Sequence, residues 1–174
     1  MQKGILWDND GVLVDTERLY YLANQQVLAE AGFKLNLSDY TKLYLENNKG
    51  AWGMLAERGF SEAEVGRLRA KRNRLYSELL QTEDISIPGV VEVLAYFHGK
   101  LKMGIVTSSR RDHFEIIQQR TGFGKYFDFT ITSDECPATK PDPAPYLLGL
   151  EKLGLLPEQC LVVEDSLRGL TSAR

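Results

Sequence analysis

The sequence has little of what marks membrane-bound, secreted or nucleic-acid-binding proteins. Its 21 Lys and Arg residues are outnumbered by 24 Asp and Glu residues, which leaves a net charge of -3 and no basic excess to attract nucleic acid or anionic lipid. No apolar run approaches the length of a membrane span, and no basic-then-apolar leader precedes the first predicted strand. These absences predict a cytoplasmic protein with no nucleic-acid or membrane partner, whose ligand is a small molecule.

Cysteine and histidine are also scarce. The two cysteines, Cys136 and Cys160, lie far apart at no metal-ligand spacing, which favours reduced structural thiols. His98 and His113 have no acid or cysteine partner at ligand spacing, so we interpret both as structural. With 174 residues, 43% of them hydrophobic and 26% charged, the chain has the size of one globular domain or of a core with a modest insert.

An apolar run near the N-terminus ends in two acids. Residues 4–7 have the composition of a buried parallel strand, and Asp8, Asp10 and Gly11 follow directly. In open α/β sheets the carboxyl ends of strands line the ligand crevice, so both carboxylates are expected to face it. Carboxylates this close repel each other, which indicates a divalent cation such as Mg²⁺. On this stretch alone, a polar turn is an equally good interpretation.

The middle of the chain has a different pattern. Apolar residues at helical spacing predict that residues 16–84 form several helices, with a loop at residues 47–50 and no strand. Within them, Ser38 is the expected N-cap of a short helix, and Ser61 with Glu64 has the pattern of a capping box that begins a long one. This segment is therefore predicted to be an all-helical unit inserted into an α/β chain.

After Pro88, predicted helices alternate with strands. The strands are expected over residues 101–106, 129–132 and 160–163, and Asp142 is the expected cap of a helix whose first residue is Pro143. Alternation of this kind predicts a parallel sheet with right-handed crossovers. The predicted fold is thus α/β, with a Rossmann-like core in residues 1–15 and 85–174 that is interrupted by the helical unit.

Each strand of the core leads to polar groups that suit phosphate and magnesium. Thr107 follows the second strand and can donate its hydroxyl to a phosphate oxygen, while the N–H groups around Ser108 can bind an anion at a helix start. Lys140, after the third strand, supplies a compact positive charge. Glu164 and Asp165 follow the fourth strand, and Asp165 would complete the protein ligands of the metal.

Four segments of this chain resemble, in order and spacing, the four motifs of the haloacid dehalogenase-like hydrolase superfamily. They are residues 8–16, 107–109, 140–143 and 164–166. The chain looks most like the branch of small-metabolite phosphatases and β-phosphoglucomutases, which carries a helical cap inserted after the first strand. The resemblance implies that residues 16–84 form this cap.

The resemblance implies a role for each matching position. Asp8 would be the nucleophile that forms an aspartyl-phosphate. Asp10 would be the general acid and base, with its backbone carbonyl on Mg²⁺. Asp165 would be a further metal ligand. Because dehalogenases of the superfamily lack the second aspartate, dehalogenation is not expected here.

The same resemblance extends to the phosphate-binding side chains. Thr107 and Lys140 would hold the transferred phosphoryl group, and Glu164 would orient Lys140. The cap would select the leaving group, with surface solvation as the alternative for each candidate. These cap candidates are Lys49, Trp52, Arg72, Asn73 and Tyr76. For Arg110 and Arg111, at a helix N-terminus, a solvated pair is favoured over a phosphate role.

Phosphatase and mutase activities both remain compatible with these motifs. The β-phosphoglucomutases carry a cap histidine where this chain has Tyr20 and Tyr21, and a cap arginine where it has Trp52 and Gly53. Both departures favour hydrolysis of a small phosphorylated metabolite. A truncated, catalytically weak phosphate-binding protein is a further alternative, since the resemblance implies more core structure after residue 174. In that case the fourth strand is expected to have an unpaired edge and the protein to self-associate weakly.

Overall fold

The computed structural model describes residues 2–46 and 50–174. It contains two compact units, one formed by Met1–Asp15 with Asp84–Arg174 and the other by Thr16–Glu83. We refer to them as the sheet unit and the helical unit. Among the described residues, no helix combines the length and the apolar character that crossing a membrane requires.

Eight α-helices are described. In chain order they are α1 (Glu17–Glu30), α2 (Leu37–Tyr40), α3 (Trp52–Glu57), α4 (Glu62–Thr82), α5 (Val90–Phe97), α6 (Arg111–Thr121), α7 (Ala144–Leu153) and α8 (Leu167–Ser172). A π-helical segment, Thr41–Glu46, follows α2. Three short 3₁₀ turns, Phe123–Tyr126, Ser133–Glu135 and Pro157–Gln159, lie in the loops of the sheet unit.

The sheet has four strands, all parallel. They are β1 (Gly4–Trp7), β2 (Lys102–Val106), β3 (Phe129–Ile131) and β4 (Cys160–Val163), in the spatial order β3-β2-β1-β4. Trp7 lies opposite Ile105 on one side and Val163 on the other. The strands therefore end together, and the residues that follow them share one edge of the sheet. The predicted parallel α/β fold is confirmed.

Helix α7 packs closely on this sheet because a glycine faces it. Leu6, Val106 and Tyr146 belong to the apolar cluster between them. A Cβ atom placed on Gly149 would lie 2.8 Å from Cδ1 of Leu6, inside normal contact distance. The absence of a side chain at Gly149 thus allows the helix and β1 to approach.

The helical unit has an apolar core of its own. Leu28 of α1 and Leu55 of α3 are completely buried in it, and Val65 of α4 is buried with them. At the start of α4, Ser61 and Glu64 form the predicted capping box, in which each side chain accepts a hydrogen bond from the other's backbone N–H.

Two predicted helix starts are wrong by one or two residues. Asn36, and not Ser38, caps α2, because its extended backbone lets its Oδ1 accept the N–H of Asp39 at 2.9 Å. Pro143 is the N-cap of α7 and not its first residue. The carboxylate of Asp142 instead accepts the N–H of Ala144 at 2.8 Å. This contact forms an Asx-turn just before the helix begins.

Candidate active site

A buried lysine joins the ends of three strands. The side chain of Lys140 is 2% exposed. Its Nζ donates to Oδ1 of Asp8 at 2.9 Å, to the carbonyl of Val106 at 2.8 Å and to Oε1 of Glu164 at 2.5 Å. An ammonium group has three N–H donors, so the three acceptors satisfy it. Lys140 thereby ties the carboxylates that follow β1 and β4 to the last residue of β2.

Burial and charge act differently on the two carboxylates that Lys140 contacts. Burial raises the pKa of Asp8 to about 7, although the ammonium of Lys140 opposes the shift. Burial also acts to raise the pKa of Glu164, but the charge of Lys140 and the hydrogen bonds to Glu164 outweigh it and hold that pKa below its usual value. Glu164 is therefore the ionised partner of Lys140 in the ion pair.

Two hydroxyl groups hold Glu164 in place. The phenol of Tyr146 donates to Oε1 of Glu164 at 2.8 Å, and the hydroxyl of Ser166 donates to Oε2 at 3.0 Å. The ring centroid of Tyr146 also lies 4.8 Å from Nζ of Lys140, within the range of a cation–π contact. No role in the site was predicted for Tyr146. The available signal was that a buried phenol needs a hydrogen-bond partner.

A group of three acids that could hold a metal ion lies beside this network. Carboxylate oxygens of Asp8, Glu164 and Asp165 lie within 4.8 Å of one another. Partial burial raises the pKa of Asp165, and the charge of Glu164 adds to the shift. A Cβ atom on Gly11 would overlap the Asp165 carboxylate, and the φ of +80° at Gly11 also suits glycine. Oxygen ligands in this arrangement fit a hard divalent cation.

The carboxylate of Asp10 points towards the end of β2. Its Oδ2 accepts the hydroxyl of Thr107 at 3.1 Å, the hydroxyl of Ser109 at 2.8 Å and the side-chain amide of Asn9 at 3.3 Å. The backbone N–H of Ser109 in turn donates to Oγ1 of Thr107 at 3.0 Å. Thr107 was predicted to lie here, whereas Ser109 had no predicted role. Ser109 lies in the second of the four segments that resemble the superfamily motifs, and this membership was the available signal.

The two arginines near the N-terminus of α6 are engaged in surface ion pairs. Arg110 forms two hydrogen bonds to the carboxylate of Asp112, at 3.0 and 2.9 Å. Arg111 pairs with Glu135. All four side chains are at least 40% exposed, which supports the interpretation of both arginines as solvated pairs.

Four of the five cap candidates lie together in the helical unit. Arg72 is buried, and its guanidinium lies 5.5 Å from the ring of Trp52. The same group donates to Oδ1 of Asn24 at 3.0 Å and to Oδ1 of Asn73 at 2.9 Å. Tyr76 packs edge-on against Tyr20, and Arg72 lies 4.5 Å from that same ring. Lys49, the fifth candidate, lies outside the described residues. Substrate contact by these side chains remains a prediction.

Comparison with known proteins gives concordant matches. A family model described as haloacid dehalogenase-like hydrolase matches residues 2–174. A phosphorylated carbohydrates phosphatase of Thermotoga maritima is 32% identical over 178 residues, covering 99% of this chain and 80% of that protein. Fructose-1-phosphate phosphatase YqaB of Escherichia coli is 26% identical over 174 residues, covering 98% and 90%. The crystal structure of a candidate β-phosphoglucomutase from Thermotoga maritima is 31% identical, with a TM-score of 0.72, covering 99% and 80%.

Proposed function

The chain belongs to the haloacid dehalogenase-like hydrolase family, and we propose that it is a magnesium-dependent phosphatase acting on a small phosphorylated metabolite such as a sugar phosphate. The observation that carries the proposal is the position of Lys140. Its Nζ lies 2.9 Å from Asp8, which belongs to the same acidic group as Asp165. Two relatives named as phosphatases of phosphorylated sugars support this substrate class.

Magnesium would be held by the carboxylates of Asp8 and Asp165, with the backbone carbonyl of Asp10 as a further ligand. Glu164 also belongs to the acidic group, but its two oxygens already accept hydrogen bonds from Lys140, Tyr146 and Ser166. We therefore assign Glu164 to the support of Lys140. When bound, the cation supplies positive charge that offsets the repulsion between a carboxylate and a phosphate.

In the first step, a carboxylate oxygen of Asp8 attacks the phosphorus atom of the substrate. A bond forms between that oxygen and phosphorus, and the bond from phosphorus to the ester oxygen breaks. The proton carried by Asp10 goes to the departing oxygen, which leaves as an alcohol. The enzyme then holds an aspartyl-phosphate at Asp8 and an ionised Asp10.

In the second step, a water molecule attacks the phosphorus atom of the aspartyl-phosphate. The ionised Asp10 takes a proton from that water, a new oxygen–phosphorus bond forms, and the bond to Asp8 breaks. Inorganic phosphate is released, and both carboxyl groups return to their starting states. Lys140 and the hydroxyl of Thr107 would stabilise the phosphoryl oxygens, together with the backbone N–H groups around Ser108.

A mutase of the β-phosphoglucomutase type is the second candidate, and the 31% identity to the candidate mutase from Thermotoga maritima favours it. Such an enzyme returns the phosphoryl group to a sugar instead of transferring it to water. Tyr20 and Tyr21 stand where those mutases carry a cap histidine. A tyrosine has no imidazole for proton transfer, and both rings pack edge-on against other tyrosines. Hydrolysis is the better-supported activity.

The test is hydrolysis of p-nitrophenyl phosphate by the purified protein with Mg²⁺, with EDTA, and with Mg²⁺ restored. Asp8→Asn is expected to abolish activity, and Asp39→Asn, at a partly exposed aspartate of the helical unit, is the matched control. A panel of sugar, nucleotide and short-acid phosphates then identifies the substrate. Hydrolysis that persists in Asp8→Asn would refute the mechanism, and conversion of β-glucose 1-phosphate to glucose 6-phosphate would establish the mutase. Phosphate binding without turnover would indicate a binding protein.

A further inference from the structure

Ser109 stands out because its hydroxyl lies 2.8 Å from Oδ2 of Asp10. Its backbone is fixed on two sides. The N–H of Ser109 donates to Oγ1 of Thr107 at 3.0 Å, and its carbonyl accepts the N–H of Ser133 at 3.0 Å. The serine side chain is therefore presented to Asp10 by the end of β2 and by the turn that follows β3.

Thr107 and Ser109 donate to the same carboxylate oxygen, yet their tasks differ. A hydroxyl has one proton to donate, so Thr107 cannot serve both Asp10 and a phosphoryl oxygen at once. In the proposed reaction the hydroxyl of Thr107 turns to the phosphoryl group. Asp10 then loses one of its anchors when its orientation matters most, while Ser109 remains 2.8 Å away.

We propose that Ser109 is a positioning residue for Asp10, whose hydroxyl keeps that carboxyl group oriented towards the leaving oxygen after phosphate has engaged Thr107. The proposal rests on the proposed phosphatase function. It assigns Ser109 an effect on proton delivery and none on phosphate binding. Removal of the Ser109 hydroxyl should therefore lower kcat/KM most for substrates whose leaving group most needs a proton.

Two aryl phosphates of similar shape separate these effects. Phenol has a pKa of about 10, whereas p-nitrophenol is much more acidic and needs little protonation as it leaves. For Ser109→Ala we expect kcat/KM to fall about ten-fold with phenyl phosphate, the loss of one charge-assisted hydrogen bond, and clearly less with p-nitrophenyl phosphate. KM should change less than about two-fold, because phosphate binding keeps Thr107 and Lys140.

Ser109→Thr keeps a hydroxyl at this position and is expected to restore most of the activity. Ser133→Ala is the matched control, since it removes a nearby hydroxyl but keeps the backbone N–H that donates to Ser109. Equal losses with the two esters, or an inactive threonine variant with an unchanged circular dichroism spectrum, would overturn the proposal.

Crystal structures of the wild type and Ser109→Ala, both with inorganic phosphate bound so that Thr107 is engaged, separate this inference from the proposed function. Wild-type protein that hydrolyses neither ester would refute the phosphatase, but the position of Asp10 can still be compared. A displaced or disordered Asp10 carboxyl group in the alanine variant supports the positioning role. An unchanged one refutes it, whatever the activity.

Discussion

The ammonium nitrogen of Lys140 lies 2.9 Å from a carboxylate oxygen of Asp8, although 132 positions separate the two residues in the sequence. Glu164 completes the contact, since the same nitrogen lies 2.5 Å from its Oε1. A buried cation between two buried carboxylates supports the structure of the site as well as its chemistry. Four predictions follow from this network and from the acidic group beside it.

Replacing the buried lysine should damage both activity and stability. Lys140→Met would leave Asp8 and Glu164 without their cation, and breaking such a buried pair costs about 3–5 kcal/mol. The pKa of Glu164 should rise, because the charge that opposes its burial is lost. Urea unfolding and the phosphatase assay provide the measurements. Lys3→Met, at an exposed lysine, is the control, and a Lys140→Met protein as stable as this control would contradict the prediction.

The pKa of Asp8 gives the metal-free protein a defined pH dependence. Because folding raises this pKa from 3.8 to about 7, the folded state holds a proton that the unfolded chain has released. The stabilisation is complete below pH 3.8 and is lost as the pH rises through about 7. Melting temperatures of the metal-free wild type should therefore fall relative to Asp8→Asn between pH 5 and pH 7.5, and Mg²⁺ should reduce the loss. Parallel pH profiles for the two proteins would contradict this.

The hydroxyl group of Tyr146 should contribute to both stability and activity through its hydrogen bond to Glu164. Tyr146→Phe keeps the ring beside Lys140 but removes the hydrogen bond to Glu164, and a hydrogen bond to a charged group contributes about 1.5–3 kcal/mol. We expect a loss of stability of that size and a lower kcat, because Lys140 is held less firmly. Tyr96→Phe, at a tyrosine that is 62% exposed, is the control. Equal unfolding midpoints for the two variants would show that the Tyr146 hydroxyl is dispensable.

Gly11 should be required for metal binding. Gly11→Ala would bring a Cβ atom into the carboxylate of Asp165, and we expect Mg²⁺ affinity to fall by at least about ten-fold, as for the loss of a supporting contact at a metal site. Gly99→Ala is a close control, because Gly99 has a similar positive φ of +74° but nothing within 4 Å of the added carbon. Titration calorimetry with Mg²⁺ measures the difference. Equal affinity in the two alanine variants would exclude a role for Gly11 in metal binding.

Much of the fold and the acidic part of the candidate site could be predicted from the sequence. Asp8, Thr107 and Glu164 each follow an apolar run, and strands that are parallel and in register bring such residues to one edge. Lys140 follows a strand only through a loop, and its pairing with Glu164 was expected from the resemblance to the superfamily motifs. Periodicity and strand ends therefore predict which residues converge.

The hydroxyl contacts could not be predicted in the same way. Ser109 and Tyr146 reach their carboxylates through side-chain directions that depend on tertiary packing, and no local pattern records those directions. The predicted caps, Ser38 and Asp142, were wrong for a different reason. Several polar residues compete for the same backbone N–H groups at a helix start, and small differences in backbone angle decide among them.

The central place of β1 in the sheet makes the enzyme sensitive to reading-frame-preserving insertions within this strand. Since β1 has hydrogen-bonded neighbours on both sides, one extra residue within it would advance the following chain by about 3.3 Å and turn each side chain to the opposite face. Asp8 would then no longer meet Lys140. Residues added to an exposed loop of the helical unit leave this ladder untouched, so random insertion libraries should lose activity sharply at β1 and retain it in such loops.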